Sequence, residues 1–123
     1  MSAEADFIDY LVESLNPLGP VRARKMFGGF GIFLDELMFG LVSKNVFYLK
    51  VDDKNRSDFE TRGLGPFTYP RKGKEYSMSY YEVPHEAIDD AEQLCKWAQK
   101  AYDAALRGVE TKLRKDRGRR SRK

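Results

Sequence analysis

The sequence predicts an α+β protein with two layers, in which helices cover one face of an antiparallel sheet. Three observations predict it: helical apolar periodicity near the N-terminus, a central series of short Val-, Phe-, Ile- and Tyr-rich runs, and a second helical periodicity over residues 90–107. Strands grouped together between helices are typical of this class. The chain has 123 residues, 41% of them hydrophobic, which is the size and composition of one folded unit.

The first helix is expected over residues 4–15. Proline cannot continue a helical hydrogen-bond ladder and glycine permits a turn, so the segment from Asn16 to Pro20 ends it. The apolar residues of this helix recur at the spacing of one face: Phe7, Ile8, Leu11, Val12 and Leu15.

The central segment predicts a meander of antiparallel strands. Short links of two residues separate the apolar runs, as hairpins require. The link Asp35-Glu36 lacks the glycine that a primed turn prefers, so its turn type stays open. The predicted strands are Val21–Phe27, Gly31–Leu34, Leu37–Ser43 and Val46–Val51.

The C-terminal half predicts a short helix, a hairpin and a long helix. The short helix is expected over residues 53–62, and the hairpin joins residues 67–70 to residues 76–83 through a basic tip. The last helix is expected over residues 90–107, capped by Asp89 or Asp90 and ended by Gly108. Residues 1–107 are thus expected to form the folded domain and residues 108–123 a disordered basic tail.

Positive charge is concentrated at the C-terminal end. The formal net charge is +3, but residues 107–123 carry nine basic and two acidic side chains, so the rest of the chain has a net charge of −4. A basic segment of this kind is a candidate for contact with a polyanion such as DNA, and a merely solvated tail is the alternative. The candidate nucleic-acid-binding residues are Lys112, Arg114, Lys115, Arg117, Arg119, Arg120, Arg122 and Lys123.

A second cluster combines basic residues with glycines over residues 22–31. It matches neither a Walker loop nor a dinucleotide fingerprint. Strand alternation would place Arg22 and Arg24 on one face, where they could contact phosphates or an acidic partner. The alternatives are a sharp strand connection that requires glycine and a charged face that is only solvated. The candidate partner- or anion-binding residues are Arg22, Arg24, Lys25, Gly28, Gly29 and Gly31.

Aromatic residues crowd the second hairpin, among them Phe67, Tyr69 and Tyr76. Exposed aromatic rings beside basic residues can stack on single-stranded nucleic acid, and cross-strand core pairs would give the same composition. Tyr80 and Tyr81 are adjacent and must point to opposite faces of the strand.

The sequence offers few groups for catalysis. His85 is the single histidine and Cys95 the single cysteine, so a multi-thiolate or histidine-rich metal site is excluded. We therefore expect no enzyme activity, no cofactor and no metal. The chain has no apolar run long enough to span a membrane and begins without a secretory signal pattern, which indicates a cytoplasmic protein.

Four segments together resemble the N-terminal domain of the TfoX/Sxy family, the competence regulators of bacteria. Their combination is specific, and the resemblance covers about residues 5–107. The segments are residues 20–33 (PVRARKMFGGFGIF), residues 47–52 (FYLKVD), residues 65–69 (GPFTY) and residues 78–84 (MSYYEVP).

The resemblance implies a fold similar to secretion-chaperone and YjbR-like domains, with the order α-β(3)-α-β(2)-α. In that order, residues 21–27 and 31–34 would be two parts of one bent strand. Full-length family members are thought to assist the cyclic-AMP receptor protein at competence promoters and to carry a helical C-terminal domain, which we expect this chain to lack. The partners left open are DNA, a transcription factor of that receptor type, another protein, and a second copy of this chain.

Overall fold

A computed structural model describes residues 3–26 and 28–120 of the chain. Its helices are α1 (Ala3–Ser14), α2 (Arg56–Glu60), α3 (His85–Ile88) and α4 (Ala91–Arg120), and a short 3₁₀ turn covers Asn16–Leu18. Its strands are β1 (Arg22–Met26), β2 (Gly29–Leu34), β3 (Leu37–Ser43), β4 (Val46–Lys50), β5 (Pro66–Arg71) and β6 (Lys74–Glu82).

The strands form one antiparallel sheet in the order β1-β2-β3-β4-β6-β5. The two-residue links of the β2–β3, β3–β4 and β5–β6 hairpins all have positive φ, a backbone that matches the twist of paired strands. Asp35 and Glu36 adopt it without glycine, at φ of 52° and 68°. The predicted hairpins are therefore confirmed. The Asp35-Glu36 link, whose turn type the sequence left open, has the two positive φ values of a type I′ turn.

The implied order of three strands before α2 is wrong. β1 and β2 are separate strands that pair antiparallel, with Arg22 opposite Phe33 and Arg24 opposite Gly31. The chain reverses near Gly28, whose φ is +77°, so no bent strand joins the two segments. Four strands thus precede α2 and two follow it, and α3 adds a further helix. Phe27, predicted as a strand end, lies outside the described residues.

Helices cover one face of the sheet, and the core lies between the two layers. α4 packs on β3 and β4, and three alanines spaced along one face, Ala98, Ala101 and Ala105, let it approach closely. Two aromatic contacts also hold α4 in place. Trp97 packs on Phe59 of α2 (ring centroids 4.9 Å apart), and Tyr102 packs on Phe39 of β3 (5.9 Å). The buried core also includes Ile8, Leu11, Leu15, Ile32, Leu34, Val42, Phe47, Leu49, Val51 and Leu94.

The last helix begins as predicted and ends much later. Asp90 caps it, because its Oδ1 accepts hydrogen bonds from the backbone N–H groups of Glu92 and Gln93. The predicted end at Gly108 is wrong, since α4 continues through this glycine to Arg120. A glycine inside a helix costs only about 1 kcal/mol relative to alanine, and the Glu, Lys, Leu and Arg residues after it are good helix formers. The disorder expected from residue 108 is likewise not found through Arg120; residues 121–123 lie outside the described part.

Candidate functional site

The edge strand β1 brings two of the predicted site residues together. Arg22 and Arg24 are exposed and lie on the sheet face opposite the helices, as strand alternation predicts. The guanidinium of Arg24 lies over the ring of Phe33, 5.4 Å from its centroid. Lys25 pairs with Phe30, whose ring packs on the core, so Lys25 belongs to the other face. The three basic residues of this cluster therefore do not share one surface.

The surface around these arginines is not uniformly positive. Arg22 and Arg24 line a pocket of about 330 Å³ together with Asp35 and Glu36. Two cations and two anions leave this pocket near neutral. A nearly neutral pocket does not attract an anion strongly. A role for Arg22 and Arg24 in binding therefore stays a prediction.

The glycines of the same cluster have a structural explanation. A Cβ atom on Gly29 would collide with the carbonyl oxygen of Val42, and one on Gly31 would lie 2.6 Å from the Met26 sulfur and 2.8 Å from the Phe33 ring. Gly28 supplies the positive φ at the reversal between β1 and β2. Close packing of β1, β2 and β3 accounts for these glycines without a ligand.

The predicted DNA-binding residues lie on a helical extension, residues 108–120 of α4. Every side chain described in it, from residue 108 to residue 117, is exposed, including Lys112, Arg114 and Lys115. Arg119 and Arg120 belong to the same helix by their backbone, while Arg122 and Lys123 lie outside the described residues. At 1.5 Å per residue the extension is about 20 Å long. The role of these cations in DNA binding stays a prediction, and the helical arrangement of the segment was not predicted.

The face of the sheet opposite the helices holds a concave apolar surface that the sequence did not predict. β1 and β5 are the two edges of the sheet, yet Met26 on β1 and Phe67 on β5 line the same cavity. The sheet therefore curls toward this side. The open-face cavity has a volume of about 500 Å³ and is lined by Met26, Gly29, Met38, Leu41, Ser43, Phe67, Tyr69, Arg71, Met78 and Tyr80.

Aromatic rings continue along this face from β4 to β5 and β6. Phe67 lies 5.2 Å from Tyr48 and 6.4 Å from Tyr69, and Tyr69 lies 6.0 Å from Tyr76, measured between ring centroids. Only the contact between Tyr69 and Tyr76 is a pair of directly opposite residues on neighbouring strands, and it lies on the open face and not in the core that the sequence alternative assumed. Tyr76 remains 41% exposed, so one end of the row is still accessible to solvent.

Tyr80 and Tyr81 point to opposite faces, as predicted. Tyr81 contacts Phe59 on the helix side, while Tyr80 lies on the open face and is only 7% exposed. Burial raises the pKa of Tyr80 to about 12. Beside it, Lys50 places Nζ 5.4 Å from the Tyr80 ring centroid and donates a 2.6 Å hydrogen bond to Ser79 Oγ.

His85 and Cys95, the single histidine and the single cysteine, each contact a different group. His85 has a largely exposed side chain and lies 3.7 Å from a carboxylate oxygen of Glu82. The thiol of Cys95 donates to the carbonyl of Ser14, and burial raises its pKa, which favours the unreactive thiol. Among the described residues, no group of three or more His, Cys, Asp or Glu side chains could hold a metal ion. The same residues contain no helix long and apolar enough to cross a bilayer.

Fold and surfaces together define a small α+β domain with an open sheet face and a protruding basic helix. The TfoX N-terminal domain model matches residues 13–105, from α1 to the last turns of α4 that pack on the sheet. The chain belongs to the TfoX N-terminal domain family. The family membership predicted from the sequence motifs is thus confirmed.

Three curated relatives show how far the likeness extends. Protein Sxy of Escherichia coli (strain K12) is 25% identical over 105 residues, which are 85% of this chain and 50% of Sxy. DNA transformation protein TfoX1 of Aliivibrio fischeri is 32% identical over 66 residues, 54% of this chain and 32% of TfoX1. An uncharacterized 12.7 kDa protein of Spirochaeta aurantia is 31% identical over 91 residues, 74% of this chain and 73% of that protein. The chain therefore spans half of Sxy and about a third of TfoX1.

Proposed function

We propose that this protein is a non-enzymatic, cytoplasmic domain that assists transcription in the manner of competence regulators and holds DNA through the basic extension of α4. Family membership and the likeness to Sxy and TfoX1 support the regulatory class. The observation that carries the DNA contact is the segment of α4 after Arg107, whose side chains are exposed from residue 108 to residue 117 and whose helical backbone continues to Arg120. In this proposal the residues up to Arg107, called the body below, form the fold, and the extension of α4 provides the affinity for DNA.

The charge of this helical segment suits a phosphate backbone. Residues 107–120 carry seven basic and two acidic side chains, a net charge of +5. Lys112 and Lys115 are three residues apart and share one face of the helix, so both can approach the same strand of a duplex. If about five cations contact phosphates, the logarithm of the affinity falls with the logarithm of the salt concentration at a slope of about −4 to −5, with little sequence preference.

The test is fluorescence anisotropy of a labelled duplex of about 30 base pairs across a salt series. The full chain, a chain ending at Gly108 and the variant Lys112→Glu/Lys115→Glu are compared. Lys44→Glu/Lys54→Glu is the matched control, because both lysines are exposed on the body and the change in net charge is the same. We expect the full chain and the control to bind, the shortened chain to lose binding, and Lys112→Glu/Lys115→Glu to bind at least 10-fold more weakly.

Two results would reject the DNA contact. One is undiminished binding by the chain that ends at Gly108. The other is the absence of binding by the full chain even at low salt. Equal weakening of both charge-reversal variants would show that net charge, and not the α4 extension, governs binding.

We further propose that the regulatory partner is a transcription factor of the cyclic-AMP receptor type, as the resemblance to the TfoX/Sxy family implies. A complex of that receptor with a promoter fragment provides the assay. We expect the full chain to add a slower-migrating species in an electrophoretic shift only when the receptor is present. A shift that does not depend on the receptor would reduce the function to DNA binding alone.

An adaptor that binds a protein partner or itself is the second candidate. Three exposed apolar residues of α4 favour it: Leu106 (43% exposed), Val109 (42%) and Leu113 (50%). Their spacing places them on one side of the helix, where a second helix can pack. We expect this adaptor to sediment as a dimer and Val109→Glu to sediment as a monomer. A strictly monomeric wild-type chain would exclude self-association.

A further inference from the structure

We propose that the open-face cavity binds a small amphipathic carboxylate, with an aliphatic body against the methionines and the carboxylate on Arg71. This site is separate from the α4 extension, because it lies on the face of the sheet opposite the helices. The inference therefore goes beyond the proposed DNA contact and does not depend on it.

The lining of the cavity fits an aliphatic body. Leu41 and Tyr80, each 7% exposed, form its floor, although neither belongs to the main core between sheet and helices. Met26, Met38 and Met78 supply flexible thioether side chains, which adapt to the shape of an apolar ligand. Three of the four methionines in the chain lie here.

The volume fits a small molecule better than a macromolecule. Pockets for small ligands occupy about 300–1,000 Å³, and this cavity has about 500 Å³. Glycine keeps part of the space open, since a Cβ on Gly31 would press on the sulfur atoms of Met26 (2.6 Å) and Met38 (3.2 Å). A polypeptide or nucleic-acid partner would need about 800 Å² of contact on each side, far more than one recess offers.

The charge of the cavity lining indicates which head group the ligand carries. Arg71 is the one charged side chain among the described residues that line the cavity, and no carboxylate lines it. Arg71 forms no ion pair with any described residue. Its planar guanidinium presents paired N–H donors that match the two oxygens of a carboxylate. A single cation at the end of an apolar recess is complementary to a monoanion with an apolar body.

The test is isothermal titration calorimetry of the full chain with three probes of equal chain length: octanoate, octan-1-ol and octylammonium. We expect octanoate to bind at one site per chain, about 5- to 10-fold more tightly than octan-1-ol, and octylammonium to bind most weakly. Arg71→Gln should abolish the preference for octanoate over octan-1-ol. The neighbouring substitution Lys72→Gln is the matched control, because Lys72 lies at the hairpin tip and does not line the cavity.

A second variant tests the apolar part of the site. Met78 is 37% exposed, so Met78→Glu is compatible with folding and places a carboxylate in the cavity. We expect it to weaken octanoate binding at least 10-fold, whereas Ser77→Glu, which places the same charge on the neighbouring exposed residue of β6 that does not line the cavity, leaves binding unchanged. Circular dichroism verifies that both variants are folded. The proposal is overturned if the full chain shows no saturable octanoate binding, if Arg71→Gln and Lys72→Gln behave alike, or if Met78→Glu binds like the wild type.

Discussion

Arg107 on α4 donates two hydrogen bonds to the carboxylate of Asp52, from Nε at 2.6 Å and from Nη2 at 2.9 Å. Asp52 follows β4, and its backbone N–H donates to Oδ1 of the buried Asn55 at 2.7 Å. Asn55 in turn donates to the carbonyl of Lys50. The pair thus fastens α4 to the loop between β4 and α2, at the point where the helix leaves the body.

We predict that Arg107→Gln lowers the free energy of unfolding by about 1 to 2 kcal/mol, because a two-pronged, partly sheltered ion pair is lost. Both side chains are about one-third exposed or less. Arg56→Gln is the control: Arg56 pairs with Asp53, whose side chain is 96% exposed, and its loss should leave the stability close to that of the wild type. Urea denaturation followed by Trp97 fluorescence measures both. Equal losses in the two variants would show that the Asp52–Arg107 pair has no special role.

The same pair predicts a pH dependence. The hydrogen bonds from Arg107 hold the pKa of Asp52 at about 2, below its ordinary value of 3.8. A carboxyl group with a lower pKa in the folded state stabilises the fold above its unfolded pKa and loses this contribution as the pH falls toward the folded pKa. The stability difference between wild type and Asp52→Asn should therefore be constant above about pH 5 and shrink between about pH 4 and pH 2. A difference that does not change with pH over that interval would contradict the assignment.

Most of the fold follows from local patterns. The apolar periodicity of residues 7–15 located α1, and the short runs with two-residue links located the strands on either side of each hairpin. Residue patterns alone separated β1 from β2 at Gly28-Gly29, whereas the family likeness suggested a single bent strand. Local turn chemistry was the better guide here because a positive φ at Gly28 reverses the chain directly. The predicted end of α4 is wrong because glycine is a typical helix end, whereas the described helix continues through Gly108 to Arg120.

We predict that Gly29→Ala destabilises the protein by about 2 kcal/mol or more. Its Cβ would meet the Val42 carbonyl oxygen, a backbone atom that cannot move without disturbing the pairing of β2 with β3. Gly65→Ala is the control, since a Cβ there meets nothing within 4 Å. Thermal unfolding of the two variants makes the comparison. A Gly29→Ala midpoint as high as that of Gly65→Ala would mean that β2 and β3 separate at this point without loss of stability.

The candidate surfaces were only partly predictable. The shared face of Arg22 and Arg24 follows from strand alternation alone. The open-face cavity does not, because it depends on the curl of the sheet, which brings the two edges β1 and β5 to one space. The sequence indicated part of its lining through the aromatic residues of the second hairpin. It could not indicate Met26 and Met38, because no local spacing connects residues on different strands.

We predict that Gly108→Ala strengthens the helical extension without affecting the body. Glycine in a helix interior costs about 0.8 to 1 kcal/mol relative to alanine, and nothing lies within 4 Å of a Cβ at this position. Amide hydrogen exchange should therefore slow about 4- to 5-fold across residues 109–117, where every side chain is exposed and local opening controls exchange. Residues 94–101, which pack on the sheet, serve as the internal control and should exchange at an unchanged rate. Slower exchange throughout α4 would instead mean that extension and body open as one unit, and unchanged exchange in residues 109–117 would mean that the helix does not persist past Gly108.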